Sequence, residues 1–218
     1  MQTRARVAPT AGSSYSGREG RLFPGSEQFI PNGTPPIMSK PTPSTAPDDL
    51  WVFGYGSLMW NPGFPYEERV PARLLGAHRS LCVLSVHWRG TRERPGLVLG
   101  LDRGGSCVGI AFRVAGAHAE ATLAYLRERE QVTNIYRESV NRVWLKDGSG
   151  RAVPAVAFVV DRSHSQYAGK LSADERLHLI RQGHGVGGPN GDYVVATNEH
   201  LAELGIKDAE LRWLVERL

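Results

Sequence analysis

The chain has 218 residues, 41% hydrophobic and 22% charged, with a net charge of +4, which fits a globular protein of one large or two small domains. No run approaches the ~18 apolar residues of a membrane-spanning helix, and two cysteines, Cys82 and Cys107, are too few for a disulfide scaffold or a thiolate zinc site. The charge is uneven: residues 1–47 carry a net +3 and the remaining 171 residues 21 basic against 20 acidic side chains, with no basic block, so neither nucleic acid nor a membrane is an expected partner.

Residues 1–47 hold eight of the fourteen prolines, and Pro, Gly, Ser and Thr make up 24 of these 47 positions. Such a segment buries too little apolar surface to offset its ordering entropy, so a disordered tail is expected. Its Arg- and Ser-containing, acid-poor letters also suit a transit peptide, or an upstream extension ahead of a start at Met38. The folded domain is expected over residues 48–218.

In chain order, Trp51–Tyr55 reads as a short strand broken by Gly54 and Gly56. Leu74–Trp88 reads as one long strand or two. Gly96–Leu101 and Cys107–Val114 are expected as a hairpin turning on Asp102-Arg-Gly-Gly105. Ala117–Gln131 has helical spacing, with Ala119, Leu123 and Leu126 on one side. Val140–Leu145 and Ala152–Val160 form a second expected hairpin, joined by Lys146–Gly150. Ser172-Ala-Asp-Glu175 is a capping box opening a helix to about Gln182. Helices near Gly191–Leu204 and Asp208–Arg217 finish the chain. Strands and helices do not alternate regularly, so the fold class is α+β: an antiparallel sheet or small barrel with helices packed outside.

Several motifs carry no chemistry. Gly183-His-Gly185-Val-Gly-Gly188 satisfies the dinucleotide pattern on letters alone, but it follows a helix rather than a strand, so a flexible Gly-rich loop is expected. Ser57 lacks the flanking glycines of a nucleophile elbow. Seven scattered histidines show no paired ligand spacing, and no metal or cofactor is expected. Both cysteines sit in apolar runs and read as buried free thiols in a reducing compartment.

Two elements remain. In Val52-Phe53-Gly54-Tyr55-Gly56-Ser57-Leu58 two glycines around a tyrosine expose successive backbone N–H groups, a concavity suited to a carboxylate. An ordinary glycine turn is the competing reading. In Arg127-Glu128-Arg129-Glu130 the charges read as a solvated helix end, except that Glu130 follows Leu126 by four residues and Leu123 by seven. That spacing puts it on the apolar side, where a carboxylate needs a partner or a function.

From Trp51 onward the chain resembles the ChaC family of glutathione-specific γ-glutamylcyclotransferases, in its bacterial branch. The matching pieces are Trp51-Val-Phe-Gly-Tyr-Gly-Ser-Leu-Met-Trp60-Asn-Pro62, Arg89-Gly-Thr91 with Arg94-Pro-Gly96, and Gly109-Ile-Ala-Phe-Arg113. Arg129-Glu130 with Tyr136, Ala157-Phe-Val-Val160-Asp161 and Gly185-x-x-Gly188-x-Asn190-x-x-Tyr193 follow in order. The resemblance implies a γ-glutamylcyclotransferase-like compact mixed β-barrel with surrounding helices. It also implies a cytoplasmic lyase of glutathione catabolism, without cofactor, that cuts glutathione to 5-oxoproline and Cys-Gly. The segment Val52–Leu58 and Tyr193 then bind substrate. The step of six residues to Tyr136, with Thr133 between, selects Glu130 over Glu128 as catalytic acid/base. Two other readings stay open: a cyclotransferase for γ-glutamyl-amino acids or γ-glutamylamines, and a non-catalytic regulator of cation transport. The long tail departs from the family pattern.

Overall fold

Five strands close a barrel in the spatial order β1-β3-β2-β4-β5. They are β1 (Leu50–Gly54), β2 (Glu68–Ser85), β3 (Gly96–Val114), β4 (Tyr136–Leu145) and β5 (Ala152–Val160). The computed structural model describes residues 48–130 and 134–218; the expected tail, Gln131 at the expected helix end and Thr133 lie outside the described residues. Neighbouring strands run antiparallel except β1 and β5, which pair in parallel at Val52 and Val156 and make the barrel mixed.

The expected hairpin at Asp102–Gly105 is instead part of one continuous strand, β3, which pairs with β2 from Arg113 opposite Glu68 to Gly96 opposite Ser85. The glycines form a bulge. The ladder steps from Leu75 opposite Ser106 to Ala77 opposite Arg103, and Gly104 (φ 98°), Gly105 (φ 69°) and Gly76 (φ 86°) fill the gap in left-handed conformations. A bulge of this kind bends and twists a strand pair, which lets so few strands close on themselves. A turn and a bulge share their letters, because both need positive φ.

The undecided Leu74–Trp88 segment is a single strand that begins earlier, at Glu68. Its start was hidden by Pro71, which sits just beyond the β2–β4 ladder that opens with Ala72 opposite Leu145. The β4–β5 hairpin forms as expected, with Gly148 and Gly150 at φ 83° and 67° in its connection.

Alternation along the strands divides the core in two. Phe53, Leu74, Ala111, Val143, Ala155 and Ala157 pack together from all five strands as the barrel interior, where alanines fit the narrow bore. On the other face Val52, Ile110, Phe112, Val156 and Phe158 pack against buried residues of the helices, including Leu126, Ile180, Val194 and Leu201.

Those helices are α1 (Gly116–Glu130), α2 (Ala173–Gln182), α3 (Asn190–Glu203) and α4 (Ala209–Val215). The capping box of α2 is present, with Ser172 Oγ accepting from the Glu175 N–H at 3.2 Å and Glu175 Oε2 accepting from the Ser172 N–H at 2.7 Å. The Gly-rich segment expected as a flexible loop is a two-residue hairpin, β6 (His184–Gly185) and β7 (Gly188–Pro189). Its glycines serve contact: a Cβ on Gly185 would lie 2.3 Å from the His87 carbonyl oxygen. Cys82 and Cys107 are buried and free. No helix among the described residues is long and apolar enough to cross a membrane.

Candidate active site

Where β1 leaves the barrel, Tyr55–Leu58 enters a 3₁₀ turn over Ser57–Met59. The Gly56 carbonyl accepts from the Met59 N–H at 2.9 Å, and the Ser57 carbonyl accepts from the Asn61 N–H at 2.8 Å. The carbonyls on either side are held from β2: Arg79 Nε donates to Tyr55 O at 2.6 Å, and Arg69 donates to Met59 O at 3.2 Å. The first donors of a helical turn have no partner inside it, so the leading N–H groups of this turn remain for a ligand or solvent.

The opposite wall is the end of α1. Leu126 is fully buried and carries the helix against the barrel, and Glu130, one turn on, follows it inward. Only 18% of the Glu130 side chain is exposed, whereas Glu128 faces solvent. Arg127 also turns away, to a two-point ion pair with Glu138 of β4 at 2.7 and 3.0 Å. The two Arg-Glu dipeptides therefore separate as the helical phase requires.

Between these walls lies a cavity of about 400 Å³. Tyr55, Gly56, Ser57 and Leu58 line it from one side and Glu130 from the other. Tyr136, at the start of β4, and Tyr193, on α3, complete the polar lining. Leu99 of β3 fixes both tyrosines: Tyr136 donates its hydroxyl proton to Leu99 O at 2.7 Å, and Tyr193 Oη accepts from the Leu99 N–H at 3.2 Å. With its oxygen accepting there, Tyr193 keeps a hydroxyl proton to donate, and the Thr197 hydroxyl lies beside it.

The position of α3 is set by Asn190. Fully buried, its side chain accepts from Leu97 N–H at 2.6 Å and donates to Leu97 O at 2.9 Å, as a neighbouring strand would. From Tyr193 the helix then presents Ala196, Thr197 and His200 to the same cavity, at the helical steps of three, four and seven. His200 stacks on Trp60, with ring centroids 4.5 Å apart. Trp88 and Arg89, from the β2–β3 connection, complete the rim; Arg89 donates to the carbonyls of Gly187 and Pro189 and lies 5.6 Å from the Tyr193 ring centroid.

Burial dominates the electrostatics. It pushes the Glu130 carboxyl above the usual carboxylate range, with the Arg129 guanidinium pulling the other way. Tyr55 is pushed well up by burial and by its neighbours Tyr136 and Glu130. Tyr136 rises likewise, through burial and then Tyr193 and Glu130. Tyr193 rises through burial against the opposing Leu99 hydrogen bond. All three phenols are neutral donors at physiological pH, arranged about one carboxyl group that holds its proton more tightly than usual. Among the described residues no group of three or more His, Cys, Asp or Glu is placed to hold a metal ion.

Of the residues singled out in the sequence, Tyr55, Gly56, Ser57, Leu58, Glu130 and Tyr193 come together around the cavity. Val52, Phe53 and Gly54 do not. Val52 packs under the helices and Phe53 fills the barrel interior, while a Cβ on Gly54 would face Leu58 at 3.1 Å. They are strand residues that carry the loop, because β1 continues to Gly54 before the chain turns. The sequence reading missed Trp60, Arg89, Tyr136 and His200 as lining residues. His200 had a signal, its spacing of seven from Tyr193.

A family profile described as ChaC-like protein matches residues 50–218. The glutathione-specific gamma-glutamylcyclotransferase of Escherichia coli (strain K12) is 36% identical over 171 residues, covering 78% of this chain and 73% of its own. Gamma-glutamylcyclotransferase 2-3 of Arabidopsis thaliana is 31% identical over 179 residues, covering 78% and 88%. The human glutathione-specific gamma-glutamylcyclotransferase 1 is 30% identical over 199 residues, covering 82% and 89%. Among solved structures, the yeast γ-glutamyl cyclotransferase specific to glutathione superposes with a TM-score of 0.68 at 24% identity, over 78% of this chain and 97% of that one, a likeness of fold.

Proposed function

Because the chain belongs to the ChaC-like protein family, we propose that it converts glutathione to 5-oxoproline and Cys-Gly, with Glu130 as general acid/base. The observation that carries this reading is the placement of one largely buried carboxyl group, its proton affinity raised by that burial, across a cavity of about 400 Å³ from the Tyr55–Leu58 loop.

The γ-glutamyl unit contains its own nucleophile. Its α-amino nitrogen attacks its own γ-carbonyl carbon, a five-membered ring closes, and the amide bond to the cysteinyl nitrogen breaks. Holding the folded conformer is therefore the first task of the site, an orientation effect that reaches several kcal/mol, roughly 7–11 in the best intramolecular cases. The loop N–H groups and the Tyr193 hydroxyl suit the α-carboxylate and the γ-carbonyl oxygen, which carries negative charge as the tetrahedral centre forms.

Proton transfer is the second task. An α-amino group has a pKa of roughly 8, so at neutral pH most of it is ammonium and cannot attack. Glu130 accepts a proton from it and supplies one to the departing nitrogen. Of the three ammonium protons one stays on the ring nitrogen and two end on the departing amine, so the reaction balances without water. A carboxyl group with raised affinity for protons is better matched to this transfer than an ordinary glutamate. The two buried thiols fit a reducing compartment, and residues 48–218 constitute the catalytic domain in this reading.

The test uses purified protein with glutathione and with N-acetylglutathione, followed by mass. Glutathione should yield equal amounts of 5-oxoproline and Cys-Gly. The acetylated analogue keeps the carboxylates and the γ-amide but has lost its nucleophile, and should release nothing. Cys-Gly from the analogue would mean hydrolysis and overturn the mechanism. Turnover of γ-Glu-Ala without turnover of glutathione would keep the chemistry and change the substrate.

A further inference from the structure

Arg129 precedes Glu130 at the end of α1, yet nothing in the mechanism above uses it. Its guanidinium is surrounded by acceptors. One terminal nitrogen donates to Asn61 O at 2.8 Å, Pro62 O at 3.2 Å and Tyr125 Oη at 2.9 Å. The other donates to Ser57 Oγ at 3.1 Å. Nε lies 3.3 Å from Glu130 Oε1, and only 21% of the side chain is exposed. A single planar group thus touches both walls of the cavity.

The surroundings are shaped to admit it. Tyr125 stands one helical turn before Arg129 and reaches the same loop. A Cβ on Gly63, which has φ +76°, would lie 2.1 Å from the Tyr125 hydroxyl. Only glycine lets the loop come close enough for Tyr125 and Arg129 to share it. The resulting bonds run from one helix end to side-chain and backbone oxygens spread over Ser57 to Pro62.

We propose that Arg129 is a positioning residue that fixes the Glu130 carboxylate relative to the Ser57–Pro62 loop, so that substrate seated on the loop meets the acid/base at a set distance. The inference rests on the assignment of Glu130 and the loop made above. It depends on the fork of the guanidinium, because three separate nitrogens meet acceptors in three directions. A lysine ammonium keeps the charge but reaches from a single point. Arg129 has two separable effects. Its charge favours the ionised form of Glu130 against burial, and its fork holds the loop. The other titratable groups lining the cavity with Glu130 are Tyr55, Tyr136, Tyr193, Arg89 and His200, and the three phenols are neutral, with proton affinities raised by burial.

Arg129→Met and Arg129→Lys distinguish these effects, with kcat and KM measured for glutathione across pH and the Glu130 carboxyl followed by carbon NMR. In Arg129→Met, kcat/KM should fall on the order of 10²-fold, and the acidic limb of its pH profile should move to higher pH. In Arg129→Lys the limb should return toward its original position while KM stays raised, because charge is restored and the fork is not. A lowered Tm with KM and the acidic limb unchanged in both variants would reduce Arg129 to a structural residue and overturn the proposal. The NMR titration needs no turnover. A wild-type chain inactive on glutathione would refute the function reading, whereas an unmoved Glu130 titration in Arg129→Met would refute the tie.

Discussion

Asp102 and Glu130 are largely enclosed carboxyl groups with the same kinds of neighbours, and their proton affinities shift in opposite directions. Asp102, on β3, is 7% exposed and has an arginine, a tyrosine and a cysteine around it, as Glu130 has arginine and tyrosines. Three donors reach the Asp102 carboxylate. Oδ1 accepts from Arg162 Nε at 2.6 Å and from the Arg103 N–H at 2.8 Å, and Oδ2 accepts from the Tyr167 hydroxyl at 2.9 Å. Burial pushes its carboxyl up, but these donors outweigh burial and hold it below the usual range. Glu130 has one ion pair among the described residues, with Arg129, and burial prevails. Residue type alone does not make a reactive carboxyl group; the number of acceptor positions left without a donor does. Asp102 serves as a brace, and Glu130 is poised for proton exchange.

Exchanging each carboxyl for its amide tests that contrast, and the largest effect falls on Glu130. Glu130→Gln should lower turnover of glutathione by roughly 10²-fold or more and leave the melting temperature equal or higher. A group whose folded pKa is raised stabilises the fold in its protonated form, and loses that contribution as pH rises through the folded value. At neutral pH the ionised carboxylate is therefore a cost, which the amide removes. A strong drop in Tm would show that Glu130 is a structural residue. Asp102→Asn should do the reverse, costing about 1–3 kcal/mol of stability by breaking a filled site while kcat stays near the original. Thermal melts beside steady-state kinetics on the two variants check both directions.

Acid separates the same pair by a smaller margin. Activity that needs ionised Glu130 should fade as pH drops through its raised pKa, above the ordinary glutamate value of 4.5. The brace behaves oppositely. A depressed folded pKa gives stability that is full above the unfolded value and is lost as pH falls through the folded one, here below 3.8. Activity should therefore disappear at a higher pH than the contribution of Asp102 to stability. A rate profile and melts in the same buffers would show the order, and the reverse order would break the contrast.

The sequence made one of these sites legible and hid the other. Glu130 stood out because its spacing from Leu123 and Leu126 placed a carboxylate on an apolar helical face, and helical phase survives folding. Asp102 looked like the first residue of a turn, since Asp-x-Gly-Gly fits a turn and a bulge equally well. What separates the two is whether the flanking segments pair with each other or both with β2, a long-range choice that local letters do not encode. The same limit hid Arg89, which joins the site only because β2–β3 pairing and the Asn190–Leu97 bonds bring distant segments together. Val52 and Phe53 show the converse: they adjoin the loop in sequence, but strand alternation turns their side chains into the two cores.

The smallest expected effect concerns a single hydroxyl of the brace. Tyr167→Phe keeps the ring, which lies 5.8 Å from the Arg162 guanidinium, and removes the donor to Asp102 Oδ2. Arg162 and the Arg103 N–H remain, so Asp102 stays ionised but holds its proton somewhat more tightly. One hydrogen bond of this kind contributes about 1 kcal/mol, which in a chain of this size lowers Tm by roughly 2–4 °C. Because the missing donor favoured the ionised form, the loss should be full at neutral pH and shrink as pH falls through the Asp102 pKa, and kcat for glutathione should not change. If Tyr167→Phe lowered kcat while leaving Tm intact, Asp102 would be coupled to the reaction, and the division between brace and reacting carboxyl group would fail.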